Sequence, residues 1–75
     1  MKHGRLVKLV FSDSDPNVPA KSSILYVVAI ESGGEAVALV RNRLAREGDQ
    51  VEDVGHVSLQ LLNAMNLGPG EFTRA

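Results

Sequence analysis

The sequence has no cysteine and no tryptophan, and its aromatic content is Phe11, Tyr26 and Phe72 alone. Without cysteine it can form neither disulfides nor thiolate metal sites. Two histidines, His3 and His56, are too few for a structural zinc site without several carboxylates. Single-strand nucleic-acid binders usually interleave several aromatics with basic residues, and three scattered rings do not make that pattern. Charge of one sign is also lacking: the formal net charge is −1, so no whole-molecule field favours nucleic acid or anionic lipid. No apolar run approaches the roughly 18–20 residues of a membrane span. Lys2, His3 and Arg5 precede "LVKLVF" somewhat as in a secretory leader, but Lys8 interrupts a stretch that is already too short. A soluble, cytoplasmic protein is expected, without membrane or cofactor.

What is present suits a globular fold. Apolar residues make up 44% of the chain, too many for disorder by composition. With 75 residues there is room for one domain, residues 1–75. A chain this short buries only about three-fifths of its unfolded surface. Small domains commonly add disulfides, a metal or oligomerisation, and oligomerisation is the aid this composition leaves open.

Residues 5–12, "RLVKLVFS", set Val7, Leu9 and Phe11 on one face and Leu6, Lys8 and Val10 on the other, which is strand periodicity. Residues 23–31, "SILYVVAIE", form a stronger strand, with Ile24, Tyr26, Val28 and Ile30 on one face and Leu25, Val27 and Ala29 on the other. Apolar on both sides, it belongs in the middle of a sheet. Ser32 and Glu35 then fit the S-x-x-E capping box of a helix start. Ala36, Val37, Val40 and Leu44 recur at helical spacing, and Gly48 offers a stop, which predicts a helix over 33–47. In "DQVEDVGHV", Val51, Val54 and Val57 share no strict alternation, and Gly55 marks a bulge that could reset it. Ser58 can cap a short helix through Asn66, stopped by Gly68 and Pro69. The tail "GEFTRA" either adds a short edge strand anchored by Phe72 or ends as an ordered terminus.

The predicted fold is therefore α+β, β-β-α-β-α with an optional short fourth strand: a small, mostly antiparallel sheet with two helices. The first two strands pair antiparallel. The crossover rule for parallel strands leaves the third strand beside either of them. An antiparallel order 2-1-3 is preferred.

Several stretches invite a sharper reading. Asp13, Asp15 and Asn17 match the start of a calcium loop, but Val18 stands where its glycine belongs and Ile24 where its glutamate belongs. Asp, Asn and Pro are also what turns require, and a loop is the expectation. "SGGEA" resembles a phosphate cradle at a helix N-terminus, yet lacks the P-loop Lys and the three spaced glycines of a dinucleotide turn. Glu31 and Glu35 would repel a phosphate there, so capping is preferred. His56 could act as a base and the nearby Ser58 as a nucleophile, but no oxyanion hole or further partner is marked, and no enzyme is expected. Arg41, Arg43 and Arg46 form the one basic cluster on a helix. They carry the alternative function, an accessory nucleic-acid binder, against the neighbouring Glu47, Asp49, Glu52 and Asp53.

The preferred function follows from the sheet. Its second face offers Leu6, Val10, Leu25 and Val27 beyond what one helix can cover, and large apolar patches usually mark an interface. Either the short helix crosses to that face, giving a monomer with helices on both sides, or another subunit covers it. No charge occurs from Ser58 to Gly70, which also fits a short helix sandwiched between the sheet and a partner. A non-enzymatic, self-associating module is expected, a homodimer through Leu6, Val10, Leu25 and Val27, with a different protein partner as the alternative.

Overall fold

A computed structural model describes residues 2–11 and 23–75. The elements are β1 (His3–Val10), β2 (Ser23–Val28), α1 (Gly33–Arg43), β3 (Gln50–Ser58), α2 (Leu59–Ala64) and β4 (Phe72–Arg74). They build one antiparallel sheet in the order β3-β1-β2-β4. The predicted α+β fold and its 2-1-3 strand order are what the chain adopts, and the tail is the fourth strand. Asp13, Asp15 and Asn17, expected to belong to a connecting loop, lie outside the described residues.

The two helices take opposite faces. Val7, Leu9, Val28 and Val51 form one buried cluster with Ala36 and Val40 of α1. Val27, Ala29 and Val57 form another with Leu62 of α2. Strand alternation explains the division, since Val28 and its neighbour Val27 must point to opposite sides of β2. The short helix thus crosses to the second face.

β3 serves both clusters because it is bulged. Leu6 and Val7 are consecutive on β1, yet they pair with Gly55 and Asp53, which leaves Val54 as the extra residue. Val51 and Val57, six positions apart, would share a face in a regular strand. One inserted residue reverses the alternation and sends Val57 to the α2 side. Val54 itself is 52% exposed. The irregular valine spacing and Gly55 in the sequence were the sign of this bulge.

Both predicted N-caps form. Ser32 Oγ accepts from the Glu35 N–H at 3.3 Å, and Ser58 Oγ accepts from the Leu61 N–H at 3.2 Å. The two helix ends differ from expectation. α1 stops at Arg43, not residue 47. Arg46 and Asp49 close a turn in which the Asp49 N–H donates to the Arg46 carbonyl at 3.0 Å and the Asp49 carboxylate accepts from the Arg46 N–H at 2.9 Å. Gly48, at φ 89°, serves this turn and not the helix stop. Side-chain bonding of this kind competes with helical continuation.

α2 ends before Gly68 and Pro69, through a Schellman motif centred on Asn66. Asn66 is left-handed at φ 58°; its N–H donates to the Asn63 carbonyl, and the Leu67 N–H donates to the Leu62 carbonyl at 3.0 Å. Leu67 then packs in the same cluster as Leu62, the apolar contact that accompanies this motif. Gly68 and Pro69 instead begin a turn with Pro69 and the positive-φ Gly70 at its centre, the type II arrangement. Its Glu71 N–H donates to the Gly68 carbonyl, and its side chain accepts from the Gly68 N–H. Two bonds to Ala29 fasten the turn to the end of β2 and deliver β4 alongside.

Candidate interaction surface

Two interactions set the geometry at the α1 end of the sheet. Arg5 grips Asp53 with two hydrogen bonds, Nε to Oδ1 at 3.1 Å and NH2 to Oδ2 at 2.7 Å. The Asp53 carboxylate lies against Gly33, the first residue of α1, so close that a Cβ there would stand 2.3 Å from Oδ2. An internal carboxylate therefore lies beside the "SGGEA" stretch, where negative charge near a helix N-terminus is favourable. Sequence reasoning missed this pair because its partners are 48 residues apart and only strand register brings them together. Both side chains are about three-quarters covered, and the bidentate geometry raises the pair above an ordinary surface contact. In a double-mutant cycle with Arg5→Ala and Asp53→Ala, a coupling energy of about 1 kcal/mol is expected from urea unfolding. Additive losses would show that the pair contributes nothing as a pair.

The second face of the sheet is divided. At one end α2 covers it: Leu62 is fully buried over Val27, Ala29 and Val57, with Leu6 packed beside them. Val27 is only 3% exposed, so it belongs to the chain's own interior and drops out of the predicted interface. Leu6 is half-buried in the same cluster and is largely used there. The other end is free of α2. There Leu25 is 40% exposed although β2 is an interior strand, and Val10 is half-buried. Lys8 pairs with Leu25 on one side and Glu52 on the other, so a cation and an anion flank each other on this same face. Leu59 and Leu61 of α2, on the same side of the sheet, are 38% and 46% exposed.

The arginines of the alternative reading are all exposed. Arg41 and Arg43 lie in the last turn of α1, where cations complement the helix dipole, and Arg46 lies in the turn beyond it. Tyr26 packs in the α1 cluster and meets Phe72 edge to face, with ring centres 6.0 Å apart. His56 is exposed beside His3, and Ser58 is engaged as the N-cap of α2. Among the described residues no three His, Asp or Glu side chains gather as a metal-binding group, and no helix is long and apolar enough to cross a membrane.

No protein-family model matches this chain, and no curated protein or solved structure is significantly similar to it.

Proposed function

We propose that this chain is a non-enzymatic interaction module that self-associates through the open end of its second sheet face. The observation that carries the reading is the exposure of Leu25 in the interior of the sheet. Its cause is a mismatch of lengths. A six-residue helix such as α2 extends about 9 Å, whereas an eight-residue strand such as β1 extends about 27 Å. One cannot roof the other.

A second copy suits the surface left over. Under a twofold axis a patch meets itself, so it must carry its own complement. Lys8 and Glu52 supply opposite charges beside the apolar Leu25 and Val10, and neither makes an ion pair among the described residues. Dimerisation would also enlarge a core that is small for an isolated domain.

The test is molar mass by light scattering across a dilution series. A concentration-dependent dimer is expected. Leu25→Lys should raise its dissociation constant at least about tenfold with the circular dichroism unchanged, the effect of removing a central apolar anchor. Reversing Lys8 to Glu should also weaken the dimer, and adding Glu52→Lys should restore it. A monomer at every concentration would overturn the proposal.

A further inference from the structure

We infer that His3 and His56 together form a surface site for a borderline divalent cation of the zinc class. The pair is a product of strand register. His3 lies opposite Ser58 and His56 lies opposite Arg5, so the two histidines are diagonal neighbours across β1 and β3. Diagonal positions on one sheet face are within reach of aromatic side chains. The rings meet edge to face, with centres 6.0 Å apart and planes at 82°.

This spacing suits chelation. Zinc takes imidazole nitrogens at about 2.0 Å in a tetrahedral shell, which places two bound ring centres about 5 Å apart. The observed centres are 6.0 Å apart, about 1 Å wider, so binding a cation requires the two rings to draw together. The scaffold beneath is fixed by the antiparallel ladder, and the Lys2 backbone N–H donates to the Glu31 carboxylate just ahead of His3. The neighbouring Arg5, a cation that would oppose metal binding, is already matched by the Asp53 carboxylate.

Two imidazole ligands select the metal class. Zinc, cobalt, nickel and copper accept such nitrogen ligands, whereas calcium and magnesium demand oxygen. With two protein ligands, water completes the shell, so the site is exchangeable and not a folding element. It is separate from the sheet end proposed for self-association: His3 and His56 share the α1-side face with Arg5.

Titration of the tag-free chain with zinc chloride in a calorimeter tests the inference, with cobalt(II) absorption as a second readout of nitrogen coordination. One zinc per chain is expected, and His3→Gln and His56→Gln should each weaken binding about tenfold or more. Binding should survive Asp13→Ala combined with Asp15→Ala. No binding at millimolar zinc would overturn the inference. So would loss on changing His3 but not His56, or loss on removing the two aspartates.

Discussion

Replacing Gly4 with alanine is expected to destabilise the fold by about 2–3 kcal/mol, the cost of overpacking a closed site. A Cβ on Gly4 would stand 2.4 Å from the Val28 carbonyl oxygen and 3.1 Å from both Leu62 methyl groups. The methyl groups could rotate away, but the carbonyl cannot easily retreat. Val28 is fully buried and pairs with Phe72, and the next residue, Ala29, is held by hydrogen bonds to Gly70 and Glu71. Relief would require β1 and β2 to part or α2 to lift. For a domain of this size each kcal/mol lowers the midpoint by about 4–8 °C, so a fall of roughly 10–20 °C is expected in thermal unfolding. Gly55→Ala is the control. No atom lies within 4 Å of a Cβ there, and its effect should stay within about 0.5 kcal/mol. Equal effects of the two substitutions would disprove the close approach at Gly4.

Leu62→Ala should cost about 2–5 kcal/mol, the range for emptying a fully buried leucine site. The consequence goes beyond a cavity. Leu62 is the buried residue by which α2 holds the second face, against Val27, Ala29 and Val57. A helix of six residues has no appreciable stability of its own, so its position depends on that anchor. Truncation should loosen α2, bare Val27 and Val57, and raise binding of a hydrophobic dye before global unfolding. Leu61→Ala, one position earlier and 46% exposed, should cost well under 1 kcal/mol in the monomer. Denaturant unfolding of the two variants checks the contrast. Similar losses would mean that α2 is not fastened through Leu62.

Both predictions concern sites that propensity reasoning passes over. Gly4 reads as an unremarkable residue before a strand, and its need for a bare Cα arises from residues 28 and 62. Leu62 is legible as apolar, but the face it would cover is not. Leu61 and Leu62 look equivalent on paper, and only the docking of α2 makes one core and the other surface.

Local structure is legible in short windows of residues. Alternating apolar residues specified β1 and β2, Ser32 and Ser58 specified where the helices begin, and the apolar spacing of Ala36 and Val40 chose the buried side of α1. These signals act over a few residues, through backbone geometry and side-chain caps, so they are legible without a fold. The doubled apolar faces of β2 also announced an interior strand. Tertiary structure decided the rest. It chose α2 as the cover for Val27, it joined Arg5 to Asp53, and it brought His3 beside His56. It also left Leu25 open, because the helix that reached that side of the sheet is too short to cover it. Each of these depends on register and on which partner arrives from a distant part of the chain, and no window of neighbouring residues contains that information.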